Sequence, residues 1–348
     1  MRELPSGAGW QFEPKWDGFR CIAIRRRDKV VLQSKSGESL QRYFPEIVRA
    51  LEALEPTRFV LDGEIMVPSG NGYSFDALLQ RIHPAASRVV RLSREMPAHL
   101  HVFDLLENTR GVSLLTRPLR ERRSALERFA SEYLRTSCAI SLSPATPRRA
   151  LATRWEDRLR GRGIDGIMAK RLDAPYRSGE RDAMQKVKWL RSADCVIGGF
   201  RYGQGTHVVG SLLLGLYDDN GLLHHVGYCS NIPRADREAL TAKLESLVAP
   251  PGFTGRAPGG PSRWSRGRDT TWKPLRARLV VEVTFDAFSE GRFRHGTRLI
   301  RFRSDKKPAQ CTFEQVAPKR RATAMNARTR AMRVAAKRSA PGTRRRKA

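Results

Sequence analysis

The stretch 13–20 reads E-P-K-W-D-G-F-R, and it constrains the fold more than any other part of the chain. Asp17-Gly18 supplies a tight turn, so the backbone bends sharply just after Lys15 and just before the apolar run that opens at Phe19. A lysine is a poor nucleophile at neutral pH because its amine is protonated; desolvation or neighbouring cations make it a good one. Arg20 adds a fixed fork of donors suited to phosphate. Two readings are open from the octet alone. One is a charged surface strand leading into a hairpin; the other is a reactive amine set beside a phosphate-binding arginine.

Further short motifs follow in order. Lys35 lies in S-K-S-G, Glu64 in V-L-D-G-E-I-M-V, and Phe103 in H-V-F-D-L-L. Asp165 opens D-G-I-M-A-K, Lys186 and Lys188 form K-V-K, and Arg303, Asp305 and Lys306 stand in R-F-R-S-D-K. K-x-D-G-x-R followed by this series resembles the covalent nucleotidyltransferases: ATP-dependent DNA ligases, RNA ligases and mRNA capping enzymes. The nearest likeness is to the compact two-domain bacterial ATP-dependent DNA ligases of the C type, related to the ligase module of the D type. R-I-H-P-A-A-S-R and G-S-L-L-L-G-L-Y-D-D support that choice. The ordered series favours the reactive lysine over the surface hairpin.

The resemblance implies a job for each motif residue. Lys15 would attack the α-phosphate of ATP and carry AMP as a phosphoamide. Glu13 would meet the adenine amine and Phe103 would stack on the ring, although a central strand also suits Phe103 as core. Asp17 and Arg20 would hold the ribose and nearby phosphate. Lys186 and Lys188 alternate, so on a strand they share one face and can neutralise phosphate. Glu64 and Asp165 would hold Mg²⁺ or Mn²⁺ or touch the ribose, since hard cations take oxygen ligands. Arg303 and Lys306 would swing onto the ATP and orient the departing pyrophosphate. Lys35 would meet the DNA at the nick.

Two positions depart from the family pattern. Asp165 stands where Glu is commoner, which shortens reach by about 1.5 Å and predicts a metal contact through water. Lys35 stands where Arg is commoner, and one ammonium cannot reproduce a bidentate fork. Only fourteen residues precede Lys15, whereas related ligases carry a longer leading segment; a short form and a misplaced start are both open.

Charge points to the partner. The chain of 348 residues carries a net charge of +30, which favours nucleic acid first and an anionic membrane second. No apolar run approaches the roughly 18 residues of a transmembrane helix, and no signal peptide opens the chain. Arginines number 52 against 13 lysines, a bias that genomic base composition explains as well as phosphate binding does. Five scattered cysteines without C-x-x-C argue against a disulfide framework or zinc site and for a reducing cytoplasm. The histidine pairs 99/101 and 224/225 read as structural.

The expected fold class is α+β: a mixed-sheet adenylation domain over 1–189, then an OB-fold β-barrel over 190–316 that binds DNA. Strands are predicted at 19–24, 30–33, 59–67 and 100–105, with helices at 44–54, 76–82 and 118–134. In the second domain strands are predicted at 195–202, 211–217, 222–228, 279–285 and 299–302, with a helix at 234–248 between the third and fourth. The stretch 249–262 reads as a loop. The tail 317–348 holds twelve basic residues and no acidic ones, and is expected to be a disordered phosphate-binding arm. Taking those twelve from +30 leaves the body at +18.

The expected activity is ATP-dependent sealing of nicked double-stranded DNA, in repair, by a monomer. Two rivals remain: an RNA ligase or capping guanylyltransferase using the same lysine chemistry, and a catalytically silent DNA-binding protein, encouraged only by positions 35 and 165.

Overall fold

The computed structural model describes residues 3–178, 180, 182–259 and 271–317. The basic-arm expectation for the tail, beyond residue 317, lies outside the described residues, as does the end of the 249–262 loop.

Two sheets build the N-terminal part. The larger runs, in spatial order, Lys29–Ser34, Phe19–Arg26, Arg58–Met66, His99–Glu107 and Ile140–Leu142. Its ladders are antiparallel except the last, which is parallel. The expected first hairpin forms, with Arg27 at its tip in a left-handed conformation (φ 52°). Cys21 and Ala23 alternate into the core beside Leu32, Leu61 and Val102, the period-two pattern of a half-buried strand. Helices Pro45–Glu52 and Leu119–Tyr133 cover this sheet through Ile47, Leu51, Leu126 and Phe129. Pro118 is the N-cap of the second helix rather than part of its first turn.

The smaller sheet has three antiparallel strands in the order Trp10–Trp16, Ile164–Arg171 and Met184–Lys188. The octet therefore makes no hairpin. Trp10–Trp16 belongs to this sheet and Phe19–Arg26 to the other, so Asp17-Gly18 is where the chain steps between them. Two helices went unread in the sequence, Ala86–Glu95 and Arg149–Leu159. The first is one-sided, with Val89, Leu92 and Ser93 buried opposite a charged outer face, and its pattern was overlooked; the second buries only Ala152, too little for a clear apolar stripe.

From Arg191 the chain builds a second core. Strands Leu223–Cys229, Val209–Tyr217, Arg191–Tyr202, Val280–Phe285 and Arg298–Phe302 pair in that order, all antiparallel. An isolated bridge from Cys229 to Thr297 links the two ends in place of a full ladder, leaving the OB-type barrel incompletely closed. Between the third and fourth strands in sequence, a 3₁₀ turn at Arg234–Asp236 leads into the helix Arg237–Glu245. This is the α+β arrangement expected.

Candidate active site

The small sheet presents a grid of side chains. Register aligns Gln11, Lys170 and Met184 in one row, then Glu13, Met168 and Lys186, then Lys15, Gly166 and Lys188. Opposed residues, and rows two apart, share a face of a sheet. Gly166 is required by close approach: a Cβ there would collide with the Val187 carbonyl oxygen. Its row thus leaves backbone alone between Lys15 and Lys188. A register shift between Lys15 and Trp16 ends the strand. The Asp17 amide then donates to Gly163 (3.0 Å) and the Gly18 amide to Glu64 (3.2 Å). A side chain at Gly18 would strike the Ile65 carbonyl and the Met66 sulfur. The turn therefore locks Lys15 into the cleft between the two sheets.

That cleft holds a cavity of about 310 Å³ lined by Glu13, Lys15, Arg20, Lys35, Glu64, Phe103 and Lys186 among others. Asp17, Asp165, Lys188, Arg303 and Lys306 are not in its wall. Asp165 lies directly behind Lys15, whose ammonium donates to both of its oxygens at 2.7 and 2.8 Å. Burial raises the Asp165 carboxyl above its usual range, against the pull of Lys15. Burial pushes Glu64 up to about 8, again opposed by Lys15. Both carboxylates thus sense the same ammonium.

Arg20 is held by Asp62 at 3.1 and 2.6 Å and by the Tyr176 hydroxyl at 3.1 Å, while Tyr176 donates to Asp62 at 2.9 Å. Deeper in, Asp104 accepts two bonds from Arg122 at 2.9 and 3.0 Å. Phe103 is half-buried in the cavity wall rather than sealed in the core, with the Lys170 ammonium 4.5 Å from its ring centre. Asp62 stands two residues from Glu64 on one strand, so alternation could have found it, whereas Lys170 is five residues from Asp165 and alternation sends it to the other face. Tyr176 and Arg122 carried no such signal.

The barrel reaches the mouth of the cleft. Arg294 ion-pairs with Asp17, and its guanidinium lies 3.7 Å from the Phe75 ring centre. Ser289 donates to Asp76 at 3.3 Å. Lys188 turns from Asp165 (3.8 Å) to Asp286 of the barrel (2.6 Å). The closing motif stays within its own barrel. Arg303 and Lys306 both bind Asp194, at 2.9 and 2.6 Å, and Arg303 also binds Asp305 at 2.8 Å.

Among the described residues no three His, Cys, Asp or Glu side chains cluster as a ready-made ligand set. Glu64 and Asp165 still fit a hard divalent cation. Both are desolvated carboxylates beside Lys15, and Mg²⁺ commonly takes one or two carboxylates while keeping waters and substrate oxygens. Among the described residues no helix is long and apolar enough to cross a membrane, which leaves membrane β-barrels unaddressed.

Fold and cleft together define the class as a nucleotidyltransferase. A family model described as the ATP dependent DNA ligase domain matches residues 3–188, and one for the ATP dependent DNA ligase C terminal region matches residues 205–306. DNA ligase C1 of Mycolicibacterium smegmatis is 43% identical over 324 residues, covering 90% of each chain. DNA ligase C of Mycobacterium tuberculosis is 41% identical over 320 residues, covering 88% of each. A solved Lig E DNA ligase shares the fold with a TM-score of 0.54 at 15% identity, covering 85% of this chain and 93% of that one. The chain belongs to the ATP-dependent DNA ligases.

Proposed function

We propose that Lys15 is the residue that carries AMP, and that the enzyme seals nicks in duplex DNA in three steps. The observation that carries this is the convergence of Lys15, Glu64, Phe103, Arg20 and Lys186 on one cavity between two sheets. The Lys15 nitrogen, once free of Asp165 and its proton, forms a bond to the α-phosphorus of ATP as the bond to the β-phosphate oxygen breaks and pyrophosphate leaves. The DNA 5′-phosphate then attacks that phosphorus and releases the lysine. Finally the 3′-hydroxyl attacks the DNA phosphate and AMP departs. Little covalent chemistry is asked of the protein beyond the lysine; positioning and charge carry the rest.

Arg20, fixed by Asp62 and Tyr176, is preorganised for the ribose or α-phosphate side of the nucleotide. Glu13 and Phe103 take the base; Lys186 takes phosphate, and Lys35 the DNA at the nick. Mg²⁺ or Mn²⁺ held by Glu64 and Asp165 would neutralise phosphate charge when bound. Asp17 and Lys188 act through the barrel contacts, with Asp17 on Arg294 and Lys188 on Asp286. Arg303 and Lys306 engage the pyrophosphate after leaving Asp194. We take 1–189 and 190–316 as the two domains and 317–348 as a basic arm. The enzyme then works as a cytoplasmic monomer in DNA repair.

The test is adduct formation with radiolabelled ATP or GTP, with and without nicked duplex. A label from ATP that chases onto nicked DNA is expected. A label from GTP alone, or none, would overturn the reading.

A further inference from the structure

Glu13 has two polar neighbours at the cavity wall: Lys170, which lines the cavity, and Gln11, which stands outside its lining. Gln11 and Glu13 are two residues apart on one strand and point to the same face, and Gln11 is the direct cross-strand partner of Lys170. All three are withdrawn from solvent: Gln11 is 5% exposed, Glu13 2%, and the Lys170 side chain 12%. The Gln11 amide nitrogen donates to one Glu13 oxygen at 2.8 Å and the Lys170 ammonium donates to the other at 2.7 Å. A carboxylate cannot donate, so the Gln11 amide is oriented with its nitrogen toward Glu13. The same Lys170 ammonium stands 4.5 Å from the centre of the Phe103 ring.

We infer that Gln11 and Lys170 are specificity-setting positioning residues, which fix Glu13 as a rigid acceptor against Phe103 and so select a purine bearing an exocyclic amine. This rests on the reading that Glu13 and Phe103 meet the base. One donor from each neighbour pins both carboxylate oxygens in direction, yet an ionised carboxylate has about four acceptor sites, so capacity remains for a ligand N–H. A purine with a carbonyl at that position would set lone pairs against lone pairs in a dry pocket. Sites built to bond a particular polar group reject analogues that leave the buried partner unmatched. Lys170 couples the two recognition elements because one ammonium binds the acceptor and rests on the stacking ring. Neither residue touches the reacting phosphorus, so their loss falls on base selection and nucleotide affinity rather than on the chemical step.

The experiment measures DNA-free adduct formation by the full chain, over a concentration series of ATP, inosine triphosphate and purine riboside triphosphate. The wild type should prefer ATP over both analogues by about a hundredfold in kcat/KM. Gln11→Met, which keeps the volume and removes the donor, should raise the KM for ATP by about tenfold, hold kcat within about twofold, and compress the preference by about tenfold. Lys170→Met should do the same and Lys170→Arg should restore most of the preference. Thermal unfolding checks each variant; should Gln11→Met not fold, the wild-type preference and the Lys170 pair still decide. A wild type indifferent to the amine overturns the inference, as does a variant that loses kcat with the preference intact. Should Glu13→Gln collapse the preference while Gln11→Met and Lys170→Met leave it, the base reading survives and this inference alone falls. Absence of any adduct from any nucleotide would instead sink the Lys15 reading.

Discussion

The two motif-bearing regions of this ligase are in opposite states. In the cleft, residues drawn from three strands of one sheet and three of the other line a shared cavity. In the barrel, the closing motif is matched internally: Arg303 and Lys306 share Asp194, and Arg301 takes Glu282 at 2.9 Å. Both regions carry motifs of similar clarity in the sequence. The difference teaches that a motif names the groups that cooperate, while the conformation depends on which carboxylates compete for them. In the cleft the competitor for Lys15 is Asp165, 150 residues away but on the neighbouring strand of the same sheet. In the barrel the competitor, Asp194, is 109 residues from Arg303.

The largest effect expected is at Lys15. Lys15→Ala should abolish the protein–AMP adduct and all sealing of unadenylated nicks, while still sealing DNA supplied already adenylated. A normal adduct from this variant would sink the mechanism and leave the cleft a mere binding site. The next effect concerns the carboxylate behind it. Asp165→Asn should slow adduct formation by about a hundredfold at every Mg²⁺ concentration, because an amide is a far weaker ligand for a hard cation. Asp165→Glu should keep activity. An unchanged rate for Asp165→Asn across the titration would remove position 165 from the assembled region.

Arg303→Ala tests whether the barrel motif ever joins the cleft. Adduct formation from ATP should fall about tenfold, in line with loss of a charge-assisted contact of roughly 1.5–3 kcal/mol. Sealing of pre-adenylated nicks should hold, since no pyrophosphate leaves in that step. Equal losses in both assays would mean that Arg303 serves the barrel's fold or its DNA grip instead.

Much of this was legible. The alternating burial of Phe19–Arg26 and His99–Glu107 marks strands without aid, and the motif order brought Lys15, Glu64, Phe103 and Lys186 to one place. What stayed hidden depends on long-range pairing. Lys186 and Lys188 do share a strand face, yet Lys186 lines the cavity while Lys188 reaches Asp286, because that face continues past the cleft to the barrel. Asp17 pairs with Arg294, 277 positions away. Local spacing cannot register such a partner. Gln11 was missed for a different reason: its only sign is alternation with Glu13, and a glutamine on a strand face is ordinary.

The smallest effect is the sharpest probe of the contrast. Asp194 accepts Arg303 on one oxygen and Lys306 on the other, and its backbone is tied to Gln315 by bonds of 3.0 and 3.1 Å. Asp194→Asn would keep those backbone bonds and the side-chain shape while removing the charge that binds the closing motif. Asp194 is buried, but the amide can still accept from both cations and Arg303 keeps Asp305, so the shift should be modest. We expect adduct formation without DNA to quicken by about threefold, as Arg303 and Lys306 become easier to draw toward the ATP. Sealing of pre-adenylated nicks should change by less than that. The gain should shrink as salt rises, because screening weakens in the wild type the same attraction that the substitution deletes. Rapid-quench adduct kinetics over a salt series would measure it. A rate that is unchanged at low salt would show that Asp194 does not hold the motif back, and the barrel's internal pairing would then be a matter of stability alone.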